Sequence, residues 1–169
     1  KARSADKEIR ANEFKELYFN DSIDFVWSVA GGEFMMEILP YIDFEAVKNA
    51  TPKFYMGYSD NTNLTFLLTT ICDVASIYGY HPGEFGVTTY DKSLIQTLKM
   101  LKGESLYQES MDKYQIEDLK HTPGLELSPF NCQEIVKWKT LSNKDEIIKG
   151  RIIGGCLDVL QCLCGTRFD

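Results

Sequence analysis

Lys53-Phe54-Tyr55-Met56-Gly57-Tyr58-Ser59-Asp60-Asn61-Thr62-Asn63 is the stretch whose reading decides the fold. Pro52 introduces it, and Phe54, Tyr55, Met56 and Tyr58 make a short apolar run of the kind that forms a buried strand. Asp60, Asn61 and Thr62 are cap-type residues, and Leu64, Leu67, Leu68, Ile71 and Ala75 follow at helical spacing. A strand that turns directly into a helix, with a serine at the corner, has the layout of a nucleophile elbow. Such a corner lifts the hydroxyl clear of its own backbone, and the helix start behind it offers N–H groups with no intrahelical partner. The spacing departs from G-x-S-x-G, because Asn61 stands where the second glycine would be. Spacing alone leaves Ser59 with two readings, a nucleophile or a helix cap.

Upstream of the elbow, residues 4–19 place Ala11, Phe14, Leu17 and Tyr18 on one helical face. Ile23 to Ala30 is nearly continuously apolar after Asp24, which predicts a strand covered on both faces. Gly31-Gly32 ends it, Phe34 to Leu39 reads as a short helix closed by Pro40, and Asp43 caps another helix through Lys48. The order helix, strand, glycine turn, helix, strand, serine turn, helix predicts an α/β domain on a parallel sheet. Ligands of open parallel sheets bind at the carboxyl ends of the strands, and both Gly31-Gly32 and Ser59 fall there. On the residues alone Gly31-Gly32 also reads as a plain strand-to-helix turn.

Downstream, Tyr78 to Gly86 carries three glycines and a proline in nine residues and reads as a constrained loop containing His81 and Glu84. His81 there reads as a solvent-exposed loop histidine. Asp91 caps a helix with Leu94, Ile95, Leu98 and Leu101 inward and Gly103 as its stop. Glu104 to Asn131 is charged and interrupted by Pro123, Gly124 and Pro129, as a linker would be. Ile135 to Thr140 and Arg151 to Ile153 suggest strands, and Gly154-Gly155 precedes a last helix with Leu157, Leu160, Leu163 and Cys164 apolar. Trp27 reads as core and Trp138 as packing between domains.

The bulk composition narrows the partners. At 169 residues the chain can hold one core, or one domain and part of another. A net charge of −7, with 18 basic residues against 25 acidic and no basic cluster, argues against nucleic acid or an anionic membrane. The five cysteines form no C-x-x-C pair, and His81 and His121 lie far from Cys156, Cys162 and Cys164, so no zinc site or other metal is expected. An odd number of thiols within apolar patterns points to reduced cysteines in a cytoplasmic setting. Lys1 to Arg10 has no signal-peptide profile, and no long apolar run predicts membrane insertion. Gly31-Gly32 is not followed by Lys-Ser/Thr, which excludes a P-loop. No cofactor is expected.

Four blocks taken in order carry more than this. They are Ala30-Gly31-Gly32-Glu33, Ile38-Leu39-Pro40-Tyr41-Ile42-Asp43-Phe44, Pro52 through Thr62, and Gly154-Gly155-Cys156-Leu157-Asp158-Val159-Leu160 with Cys164-Gly165-Thr166. Together they resemble the LD-carboxypeptidase family of serine peptidases. The Leu-Pro-Tyr-Ile-Asp wording and Pro82-Gly83-Glu84-Phe85-Gly86 look closer to its microcin immunity branch than to its peptidoglycan-recycling one. The resemblance implies hydrolysis of a peptide or peptidyl-nucleotide amide bond by a Ser-His-Glu triad. Ser59 would be the nucleophile, with backbone N–H groups of Gly31, Gly32 and Asp60 as the oxyanion hole. Glu33, His81, Glu84 and Cys156 would line the substrate, although the family often has Asn where Cys156 stands.

By the same resemblance, residues 1–125 form the family's N-terminal α/β domain without its first strand. Residues 126–169 form a linker and the start of a smaller second domain. The triad Glu and His are expected beyond Asp169, so the chain alone is expected to be inactive. A homodimer is also implied by the family. The alternative is a non-catalytic remnant that binds a peptide-like ligand or partner.

Overall fold

The computed structural model describes residues 3–169, which divide into two compact units: residues up to Gly83 with Ile152–Asp169, and Glu84–Arg151. The first unit is built on a three-stranded parallel sheet, in the order β1 (Phe25–Trp27), β2 (Phe54–Gly57), β3 (Ile77–Tyr78). The predicted α/β class with a parallel sheet is what forms. The elbow strand, β2, is the central one. Phe25 pairs with Phe54 and Trp27 with Met56 on one side, and Gly57 pairs with Tyr78 on the other. A central parallel strand needs apolar residues on both faces, and Tyr55 and Met56 are both buried.

Helix α1 (Lys7–Tyr18) is capped by the Asp6 carboxylate and packs Ala11, Phe14 and Tyr18 into the core. After β1 the chain makes a tight 3-10 turn over Met35–Tyr41, which runs through Pro40 rather than stopping before it. The bond that ends the turn, from Ile42 N–H to the Leu39 carbonyl at 3.2 Å, needs nothing from the Pro40 nitrogen. Asp43 then caps α2 (Phe44–Asn49) as its sequence implies. Helix α3 (Thr62–Thr70) follows the elbow and buries Leu64, Leu67 and Leu68. It stops short of Ala75 because Asp73 adopts φ 58°, and the Val74 N–H folds back onto the Leu68 carbonyl at 3.0 Å.

The last segment returns to this same core. Helix α4 (Lys92–Leu101) lies in the other unit, while α5 (Leu157–Leu160) and the 3-10 turn Gln161–Leu163 bring Leu163 into the cluster with Leu160 and Phe168 against it. Phe168 meets Phe44 edge-on with centroids 5.6 Å apart, and Arg167 donates to the Leu39 carbonyl. Apolar side chains at Leu160, Leu163 and Phe168 thus find partners on α2 and α3. The compact units accordingly part at Gly83/Glu84 and Arg151/Ile152, whereas the sequence suggested a boundary at 125/126.

Within the second unit, the carboxylate of Asp91 caps α4 (Lys92–Leu101) through the Leu94 N–H at 3.0 Å, and Gly103 closes it at φ 70°. Two short strands, β4 (Lys113–Tyr114) and β5 (Glu134–Ile135), pair antiparallel. The strand expected over Ile135–Thr140 is confined to its first residue, and Arg151–Ile153 lies outside any strand. Trp138, read from sequence as packing, is 80% exposed and donates its indole N–H to Ser110.

The late glycine block is a test of how tightly the first unit is assembled. A Cβ on Gly155 would fall 2.3 Å from Thr62 Cγ2, a contact no side chain can make. Gly155→Ala is expected to lower unfolding stability by about 2–3 kcal/mol through overpacking. Thr62→Ala in the same chain should recover part of that loss, read from urea denaturation of the single and double variants.

Candidate active site

Ser59 sits between β2 and α3 with φ 60°, a left-handed conformation that a non-glycine residue adopts at a cost of about 1–2 kcal/mol. It is the sharp corner that the spacing of strand and helix implies. The chain goes straight from the end of the sheet into a 3-10 turn over Ser59–Asn61 and then into α3. The Asp60 N–H therefore lies in a first helical turn, where N–H groups have no intrahelical partner. Gly57 makes the corner possible from below. A Cβ there would come within 2.7 Å of Asn61 Cγ, so the residue must be glycine for Asn61 to fold under the strand.

Gly31 is pressed against the serine. A Cβ on it would lie 3.2 Å from Ser59 Cβ, 3.3 Å from Ser59 Oγ and 3.6 Å from His81 Cε1. The end of β1 and the elbow are thus brought to one point at the carboxyl edge of the sheet, with Ser59 half-buried and Gly31 and Gly32 exposed. What holds the glycine turn there is the side chain of Asp60. Its Oδ2 accepts the N–H groups of Phe34 at 2.9 Å and Met35 at 2.8 Å, and its Oδ1 accepts from Asn63 Nδ2 at 3.1 Å. This carboxylate, only 6% exposed, caps the start of the Met35–Tyr41 turn from across the site.

Asn61 completes the attachment. Its Nδ2 lies 3.0 Å from the Ala30 carbonyl, 3.1 Å from the Tyr58 carbonyl and 3.1 Å from His81 Nε2. Its Oδ1 accepts from the Tyr55 hydroxyl. Burial pushes the Tyr55 phenol far above its ordinary pKa, and the negative charge of Asp60 adds to the shift, so Tyr55 remains a donor throughout the physiological range. Two carbonyls and a phenol fix the amide orientation, so Nδ2 faces His81 Nε2 while its two hydrogens are shared among three neighbours.

His81 is accordingly not the exposed loop histidine expected from its neighbours. It is 4% exposed and stacks on Tyr58 with ring centroids 4.2 Å apart. The loop around it is constrained from the other side as well, since Trp27 donates its indole N–H to the Tyr80 carbonyl at 2.7 Å. The remaining candidates are distributed differently. Glu33 is exposed on the glycine turn. Cys156 is half-buried, and its N–H donates to Thr62 Oγ1 at 2.9 Å, which ties the late Gly-Gly block to the first residue of α3. Glu84 belongs to the second unit, where its carboxylate lies 4.0 Å from Lys120 Nζ. His121 is exposed in that unit. No group of three potential metal ligands occurs among the described residues, and no helix there is long and apolar enough to cross a membrane.

Sequence reasoning missed the polar underside of the site. Asn61 was visible only as a departure from the usual second glycine, and nothing in the spacing paired it with Ala30 or His81. Gly57, one strand position before Tyr58, was the one local signal that something large must pass beneath the corner.

Residues 1–79, which hold three of the four sequence blocks, match the family model of the LD-carboxypeptidase N-terminal domain, in agreement with the resemblance. The microcin C7 self-immunity protein of Escherichia coli is 28% identical over 175 residues, which is 98% of this chain and 49% of that protein. A Vibrio cholerae protein bearing a carboxypeptidase name is 31% identical over 178 residues, again 98% of this chain and 49% of its own length. The solved apo structure of a microcin C7 self-immunity protein superposes with a TM-score of 0.73 at 26% identity, covering 96% of this chain and 49% of that one. Other structures of that protein contain adenosine monophosphate, with a TM-score of 0.73, and glutamyl sulfamoyl guanosine, with a TM-score of 0.69, both at 26% identity and the same coverage. The chain spans about half the length of the curated relatives it matches.

The Asp60 cap can be tested directly. Asp60→Ala leaves the N–H groups of Phe34 and Met35 without their acceptor, while Asn63 keeps its bond to the residue 60 carbonyl, and is expected to cost about 2–4 kcal/mol. The amides of Phe34 and Met35 should lose hydrogen-exchange protection before the rest of the unit does. Full protection of both in the variant would show that the turn holds without the carboxylate.

Proposed function

We propose that this chain carries the nucleophile-bearing part of a serine hydrolase that cleaves a peptide or peptidyl-nucleotide amide bond. The observation that carries the reading is Ser59 itself, held at φ 60° with Gly31 against its Oγ. Ser59 attacks the scissile carbonyl, and the carbonyl oxygen, as it gains charge, is received by the N–H groups of Gly31, Gly32 and Asp60. The short approach of Gly31 suits this, since a side chain there would stand where the substrate carbonyl must enter. Glu33 and Cys156 line the substrate from the glycine turn and from the late block.

A proton acceptor for Ser59 is required, and the Nε2 of the buried His81 faces the Asn61 amide at 3.1 Å. The family resemblance implies an imidazole and a carboxylate from the family's later domain as the rest of the triad. By the same reading residues 1–125 form the family's N-terminal domain and 126–169 lead into the next, with homodimer formation as an accompanying proposal. The ligands named for the related solved structures, a nucleotide and aminoacyl sulfamoyl nucleosides, favour a peptidyl-nucleotide over a plain peptide.

Two measurements test this. The chain alone should turn over no aminoacyl-nucleotide amide at a rate that Ser59→Ala abolishes, because a triad without its base loses about three or more orders of magnitude. It should nevertheless bind aspartyl sulfamoyl adenosine, a ligand of the related protein, by calorimetry, and Gly31→Ala should weaken that binding about tenfold or more. Ser59-dependent turnover by the isolated chain would contradict the assignment of the base. Absence of binding would remove the peptidyl-nucleotide reading.

A further inference from the structure

The geometry points to Tyr78 as a positioning residue for Ser59, a role that rests on Ser59 being the nucleophile. Strand β3 contributes only two residues, and its pairing with β2 sets Tyr78 beside Gly57. The ladder runs out at the bond from Gly79 N–H to the Gly57 carbonyl, 3.3 Å long. Two residues further along β2 the chain has already turned into the left-handed conformation at Ser59. Its N–H has left the plane in which a neighbouring strand could accept it. The acceptor it finds is a side chain, the hydroxyl oxygen of Tyr78, at 3.1 Å.

This bond has a different character from the rest of the elbow's supports. Asp60, Asn61, Gly57 and Gly31 fix the residues around the serine, whereas Tyr78 holds the main chain of Ser59 itself. The ring is 48% exposed, so little of the core depends on it, unlike the fully buried Met56 one strand away. A phenol used at an exposed position to satisfy one particular N–H is there for where it puts that residue. Removing the hydroxyl frees Ser59 to relax from φ 60° and so moves Oγ from its place against Gly31. A tyrosine also suits the task by its reach: it is the side chain on β3 long enough to pass the end of the ladder and end in an oxygen that accepts.

The test separates the hydroxyl from the ring. Tyr78→Phe removes only the oxygen, and Tyr78→Leu removes the ring as well. Amide hydrogen exchange of Ser59 is followed by NMR in the wild-type chain and both variants, together with melting temperature and calorimetric affinity for aspartyl sulfamoyl adenosine. Tyr78→Phe is expected to melt within about 2 °C of wild type, as befits one half-exposed bond. Its Ser59 amide should exchange about three- to tenfold faster than wild type, and its affinity for the ligand should fall by about threefold or more. Tyr78→Leu should match it in exchange and ligand affinity while melting lower. An unprotected Ser59 amide in wild type, or equal protection in wild type and Tyr78→Phe, overturns the inference. If the wild-type chain does not bind the ligand, the peptidyl-nucleotide reading is what fails, and the exchange measurement still decides whether Tyr78 holds the main chain of Ser59.

Discussion

The first unit depends on a pair of buried polar side chains, Asp60 and Asn61, that follow the serine and reach back across the site. An α/β sheet can deliver two loops to the same edge without fixing them to each other. Here the fixing is done by hydrogen bonds, with the Asp60 carboxylate on the amides of Phe34 and Met35 and the Asn61 amide on the carbonyl of Ala30. Both side chains are buried, so each bond lost would leave a polar group stranded away from water, at a penalty larger than the bond's own net worth. The glycine turn is therefore held to the elbow more firmly than its exposed, side-chain-free backbone would suggest.

Gly57 and Gly31 follow from that attachment. One leaves room beneath the strand for Asn61, and the other lets the main chain approach Ser59 Oγ. The strained φ at Ser59 is sustained because everything around it is over-determined: a sheet behind, a helix start ahead, a carboxylate and an amide beneath. Stored strain of this kind is affordable only inside a well-packed unit, and the core supplies it through Leu39, Leu64, Leu67 and Leu68, each buried. Even the late segment contributes, since Leu163 and Phe168 close the core beside α2 while the Cys156 N–H ties down Thr62 at the start of α3.

Three of the four sequence blocks that resemble the LD-carboxypeptidase family meet in space: Ala30-Gly31-Gly32-Glu33, the Pro52–Thr62 elbow and Gly154-Gly155-Cys156. Their separation along the chain is large, yet Gly31 touches Ser59 and Gly155 touches Thr62. At Gly155 a Cβ would collide with Thr62 and at Gly31 it would crowd Ser59, which is a reason internal to this structure for residues first recognised as a family pattern.

The sequence by itself determined the period of the elements and their order. The apolar run at Phe54–Met56, the cap residues before α3, Asp43 before α2 and Asp91 before α4 are local signals with local physical causes, and each formed its element. Ser59 and Gly31-Gly32 could be placed at the carboxyl ends of strands for the same reason. Tertiary structure decided what local signals cannot carry. It ended α3 at Thr70 by turning the chain at Asp73, kept the strand at Ile135 short, and drew residues 152–169 back into the first unit. It buried His81 beneath a loop that reads as exposed, because the residues that cover it, Tyr58 and Asn61, come from another element. Periodicity reports which face of a segment is apolar, and it is silent on which distant polar group will need a partner once that face is buried. The bonds of Asp60, Asn61 and Tyr78 are all of this second kind, and only the folded chain could assign them.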